Sequence, residues 1–172
     1  RRGSSPLQHL PSLVASLVPG VAFAAGLFTL SARPDFSWIG QASRWPEQLW
    51  VIACFGSLAT AAGIADWIVH RREGIKVGPN ERKAELAALS CGGVPIFVLM
   101  CAASLSTSPA AYLVPILAFL VVTVVLITYD ELMFHRRRCS TFETALHRVL
   151  VFGHAIAFGA WVHLVFVRGV HV

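Results

Sequence analysis

Four segments of the chain each carry two metal-capable side chains four residues apart: Asp66 and His70, Glu81 and Glu85, Glu131 and His135, Glu143 and His147. A spacing of four puts both members of a pair on one helix face, one turn apart. Carboxylates can bridge two metal ions and stabilise their higher oxidation state, and imidazoles fill terminal positions. A four-helix bundle that points carboxylates and imidazoles inward is a protein solution for two iron or manganese ions. The expected ligands are Asp66, His70, Glu85, Glu131, His135, Glu143 and His147, with Glu81 and His154 in reserve. This set suits non-haem iron or manganese better than copper, and the lack of any CxxC pair argues against structural zinc. The cysteines, Cys54, Cys91, Cys101 and Cys139, read as small apolar residues rather than as a thiol-redox centre.

The elements that must position these groups are membrane helices. Of 172 residues, 56% are hydrophobic and only 13% charged, against about 25% charged in soluble domains. Five apolar runs approach the ~20 residues needed to cross a bilayer: 10–32, 48–69, 86–106, 110–129 and 145–167. The expected fold is an all-α integral membrane protein, a single domain over 1–172, with spans two to five forming a four-helix bundle. Span one packs outside that bundle or against a partner. Ser106 to Pro109 is expected to be a tight turn.

Lysine and arginine in short loops set orientation. Arg1, Arg2, Arg71, Arg72, Lys76, Arg82, Lys83, Arg136, Arg137, Arg138 and Arg148 fall on one side, and Arg33, Arg44 and Arg168 on the other. This places the N-terminus in the cytoplasm and the C-terminus outside, in a bacterial-type inner membrane. The basic residues next to spans have a topological role, so the formal charge of +5 is not a sign of nucleic-acid binding. Seven of the nine acidic residues lie on the same cytoplasmic side, which topology does not explain. The outer loop carries Trp38 and Trp45, read as interfacial anchors.

Spans two and three resemble spans four and five. The first hairpin reads Asp66, His70, Arg71, Arg72, a loop, then Glu81 and Glu85. The second reads Asp130, Glu131, His135, Arg136, Arg137, a loop, then Glu143 and His147. Two such hairpins related by an axis along the membrane normal would gather the pairs at one end of the bundle.

Each group also has a plainer reading. Ser140 and Glu143 fit a capping box for the last helix, in which cap and ligand compete for one carboxylate. Glu81 and Glu85 suit the positive N-terminal end of their helix. Asp66 could serve as a structural ion-pair partner.

The expected function is that of a di-metal, O2-dependent oxidoreductase of hydroxylase or desaturase type, acting on a lipid-soluble substrate. No flavin or nucleotide motif is present, so electrons would come from a separate donor. The i, i+4 spacing differs from the Glu-x-x-His of soluble di-iron bundles, and neither HxxxH nor HxxHH occurs. Two alternatives stand beside this. His154, flanked by Gly153 and Ala155, could ligate a haem or chlorophyll-type pigment. The chain could also be a non-catalytic accessory subunit of a larger membrane complex, since small residues allow close helix packing.

Overall fold

The structure, a computed structural model, describes residues 10–73, 78–135 and 140–169, and every element among them is helical. In chain order these are α1 (Leu10–Ser31), α2 (Glu47–Glu73), α3 (Pro79–Ala87), α4 (Val94–Ser104), α5 (Leu113–Asp130) and α6 (Thr141–Val162). Three stretches are long and apolar enough to cross a membrane: Glu47–His70, Pro109–Met133 and Thr141–Val167. Two further apolar helical stretches, Leu17–Ser31 and Ala88–Ser104, are shorter.

The third expected span differs in shape from a plain helix. A π-helical segment, Ala88–Gly93, joins α3 to α4, with helical backbone at both flanking residues Ala87 and Val94. The polar helix that carries Glu81 and Glu85 therefore runs directly into the apolar α4. Two more π segments follow other helices. Glu131–His135 continues α5 and contains two expected ligands, and His163–Val167 continues α6. Such single-turn widenings are rare and often mark functional positions.

The described chain falls into two compact units. One comprises Ser5–Ile68 with Leu146–Leu164. Within it, α2 and α6 pack antiparallel, Gln48 meeting His163, Ala59 meeting Gly153 and Asp66 meeting His147. The seam is closed by small residues. A Cβ added at Gly153 would lie 3.0 Å from Ala59 Cβ and 3.1 Å from the Phe55 carbonyl oxygen. Ala59 is fully buried, and Ala62 and Ala157 are buried too. At about 1.5 Å per residue, Gln48 and Asp66 stand about 27 Å apart along α2, close to the ~30 Å hydrocarbon thickness of a bilayer. A dry seam thus separates two polar contacts, one near each end.

In the same unit the expected outer loop is ordered. Pro34–Gly40 and Ala42–Arg44 form 3-10 turns. The Trp45 indole N–H donates to the Ile39 carbonyl at 2.6 Å, and its ring lies 4.9 Å from that of Trp50. Phe36, Ile39 and Leu49 are buried. Trp45 therefore staples the turn to the start of α2, in addition to any role at an interface.

The other unit comprises Val69–Ala145 and the residues from Val165 onward. Here α5 packs along α3, the π segment and α4. The closest approach is at Gly92, where an added Cβ would lie 2.6 Å from Thr123 Oγ1 and 3.1 Å from Thr123 Cα. Only a residue without a Cβ fits there. The turn between α4 and α5 is held by the Ser108 N–H, which donates to Ser106 Oγ at 3.0 Å. Ala103 and Ile116 are fully buried beside it. The rest of α5 presents Val114, Val121, Val124 and Val125 outward, as expected for a helix solvated by lipid.

These contacts make Gly153 a sharp test of the α2–α6 seam. Gly153→Val should cost about 1–3 kcal/mol through overpacking, seen as a lower melting temperature in detergent by circular dichroism. Gly26→Ala, at a position with nothing within 4 Å, should leave that temperature unchanged.

Candidate metal centre

Capping chemistry places the carboxylates in the Val69–Ala145 unit. Glu143 is the third residue of α6 and Ser140 is the residue before it starts. Ser140 Oγ accepts from the Glu143 N–H at 3.2 Å, and Glu143 Oε2 accepts from the Ser140 N–H at 2.6 Å. The capping box expected from the sequence is therefore complete. Glu81 is likewise the third residue of α3, and its Oε2 accepts from the Gly78 N–H at 3.2 Å. Unlike a typical capping glutamate, both side chains are buried: Glu143 is 2% exposed and Glu81 6%. Glutamate is almost never buried to that degree without a partner.

For Glu143 the partner comes from α2. His70 Nε2 stands 3.4 Å from Glu143 Oε1. Oε1 is fully buried and accepts no hydrogen bond among the described residues. Cap and ligand were expected to compete for this carboxylate, but the structure divides it: Oε2 closes the cap while Oε1 faces the imidazole. The separation exceeds the 2.7–2.9 Å usual for a charge-assisted N–H···O bond. Two donors each ~2.1 Å from one ion lie about 3.0 Å apart in octahedral and about 3.4 Å in tetrahedral coordination. The 3.4 Å separation lies within that range, as it also does within that of a loose ion pair.

The unit of Ser5–Ile68 and Leu146–Leu164 holds a second pair, His147 Nε2 and Asp66 Oδ2, also 3.4 Å apart. Both side chains are less than one-fifth exposed. At the opposite end of this unit His163 Nδ1 accepts from Gln48 Nε2 at 3.0 Å, which puts the proton of a neutral His163 on Nε2.

Of the seven expected ligands, four are thus paired, always histidine with carboxylate. Glu131 lies half-buried at the start of its π segment. The backbone of Glu85 and His135 is helical, but their side chains lie outside the described residues. So do Arg1, Arg2, Lys76, Arg136, Arg137, Arg138 and Cys139. Among the described residues no three histidine, cysteine or acidic side chains converge on one point. Histidine–carboxylate pairs, rather than a completed cluster, are what the described geometry contains. The pairing across helices was not legible in the sequence. The i, i+4 rule found the faces but not which turn of α2 meets which turn of α6.

His154 sits in the α2–α6 unit. Its Nδ1–H donates to the Leu150 carbonyl at 3.0 Å, so Nε2 carries the lone pair. The neighbouring Gly153 is filled by its contact with Ala59 and Phe55. It serves helix packing and opens no space for a flat macrocycle on that side. Gly159, one turn further on, has nothing within 4 Å.

Compared with family models, with curated proteins and with solved structures, the chain matches none.

Because the cap and the His70 contact use different oxygens, they should separate experimentally. Ser140→Ala should cost about 1 kcal/mol of stability and leave His70 and Glu143 paired. Thermal unfolding in detergent, with and without added divalent metal, measures both effects.

Proposed function

We propose that this chain is a five-span helical membrane protein whose basic, cytoplasmic end binds non-haem metal, and that the site serves O2-dependent oxidation of a lipid-soluble substrate. The observation that carries the metal reading is Glu143 Oε1, a buried carboxylate oxygen with no hydrogen bond, 3.4 Å from an imidazole nitrogen. Burying that oxygen without a hydrogen bond is costly, and a cation held beside the imidazole would offset the cost. The proposed ligands are Asp66, His70, Glu85, Glu131, His135, Glu143 and His147, holding two iron or manganese ions.

Bound iron would supply the one-electron and O2 chemistry of such a reaction. The protein's own groups do the rest. The cap bond from Ser140 holds the Glu143 carboxylate in place, so little is lost in ordering it. Lipid contact along α5 gives a hydrophobic substrate access from the bilayer. A separate protein on the cytoplasmic side donates the electrons.

Five spans, rather than three, are proposed because α1 and the joined α3–α4 helix each reach bilayer length. The N-terminus is then inside and the turn at Ser106 to Pro109 outside. In inner-membrane vesicles and intact cells, an impermeant thiol reagent should modify Ser108→Cys from the outer face only. Labelling from the cytoplasmic face alone would reverse the proposed orientation.

The metal reading is tested by elemental analysis of protein purified without chelators, with a visible spectrum of the same sample. About two irons or manganeses per chain without an intense macrocycle band is the expected result. His70→Ala and His135→Ala should each lose metal and remain folded, while His163→Ala should retain it. Since imidazoles must be neutral to bind, bound metal should fall as pH drops through the range where histidines take up protons. Full metal in both of the first two variants would place the site elsewhere. An intense macrocycle band would transfer the assignment to His154.

A further inference from the structure

The π segment between α3 and α4 leaves one backbone group that its own helix does not answer. Val94 follows Ala88–Gly93, and its N–H donates to the Leu89 carbonyl, five residues back. In an α-helix that N–H would go to Ser90. The next donor in line for Ser90, on the π pattern, is residue 95, and Pro95 has no N–H. The Ser90 carbonyl therefore has neither an α nor a π partner in its helix. A proline ring in an α-helix also collides with the carbonyl four residues back, here that of Cys91, and a widened turn relieves that collision. Relief of the clash accounts for the widening but does not answer the carbonyl.

The Ser90 side chain presents a second acceptor rather than a donor. Its hydroxyl donates to the Leu86 carbonyl, so its one proton is spent. Both acceptors lie on the outward side. Gly92 turns the opposite side of the segment against Thr123 of α5. Leu86, Ser90, Val94 and Val98, spaced by four, share one helix face and are all exposed. Ser90 is the fifth residue of the apolar run 86–106, about 6 Å inside it.

A carbonyl in an apolar setting needs a donor. Hydrocarbon chains have none, and ester or ether oxygens would set acceptor against acceptor. A charged ammonium is costly at this depth. A neutral hydroxyl on an apolar body meets each condition. We propose that the exposed face around Ser90 binds a lipid-soluble alcohol, its hydroxyl donating to the Ser90 carbonyl and its apolar body lying along Val94 and Val98. This rests on the five-span reading, which puts the face in the bilayer, and is independent of the metal. It gives the lipid-soluble ligand of this protein a hydroxyl at one end.

The test uses the full chain in nanodiscs of phosphatidylcholine, whose headgroup carries no N–H or O–H. The probes are a long-chain alkanol with a photoreactive diazirine in its chain and the methyl ether of the same molecule. Cross-links are mapped by mass spectrometry. In wild type the alcohol should label Val94 and Val98 about fivefold more than the ether, the enrichment that one net hydrogen bond supplies. Pro95→Ala gives the Ser90 carbonyl a donor whether the segment stays π or relaxes to α, and should remove the excess. Pro19→Ala, in α1 and outside any π segment, should keep it. Comparing each probe between variants cancels any difference in the depth at which the two probes sit. Equal labelling by alcohol and ether in wild type, the result if water alone serves the carbonyl, overturns the proposal. So does an excess that survives Pro95→Ala. Either result leaves the five-span reading standing. Labelling of Val121 and Val125 on α5 by both probes, with none at Val94 and Val98, overturns both.

Discussion

A carboxylate buried in an apolar helical protein must be answered by a cation, a proton or a set of donors. Glu143 is the point where this constraint is tightest. Its Oε2 is answered by the backbone at the start of α6, while its Oε1 faces His70 of α2 at 3.4 Å and accepts no hydrogen bond among the described residues. Removing the histidine would take away the nearest polar neighbour of that buried oxygen. This is more costly than losing an exposed ion pair, because surrounding water cannot compensate. This contact ties a helix start to a helix end.

The α2–α6 seam shows how such polar groups are tolerated. Between Asp66 with His147 and Gln48 with His163 the helices meet where Gly153 lies against Ala59 and the Phe55 carbonyl, and Ala62 and Ala157 are buried. In lipid, helix association gains little from the hydrophobic effect and relies on close packing and polar contacts. Small residues provide the first and the end contacts provide the second. The polar contacts also fix the register, since sliding α6 by one turn toward the start of α2 would place His147 level with Ala62 instead of Asp66. Gly92 against Thr123 plays the corresponding packing part between the π segment and α5.

Shared use of one carboxylate links stability to chemistry. A carboxylate held by its own helix cap is positioned by backbone hydrogen bonds rather than by a second layer of side chains. The arrangement also explains why the glutamates open helices while the histidines of α2 and the Glu131–His135 segment close them. Helix starts favour anions and helix ends favour cations or protonated imidazole. The dipoles therefore favour the carboxylates at the helix starts. The widened backbone of Glu131–His135 carries two of the proposed ligands.

Composition and apolar run length by themselves determined the helical class, the position of the long apolar stretches and the tight turn at Ser106. Those follow from one-dimensional properties: a bilayer-length apolar run has few alternatives to a helix. Spacing of four also located the faces carrying Asp66, His70, Glu143 and His147, because helix periodicity is local. The capping box at Ser140 was legible for the same reason. Only the tertiary structure decided that His70 meets Glu143 and that His147 meets Asp66. Pairing between helices depends on their register, which Gly153 and Ala59 set by letting the backbones approach. The burial of Glu81 and the division of the Glu143 carboxylate between cap and imidazole were decided there too. Neither leaves a trace in spacing, because burial is a property of what other segments bring to a position.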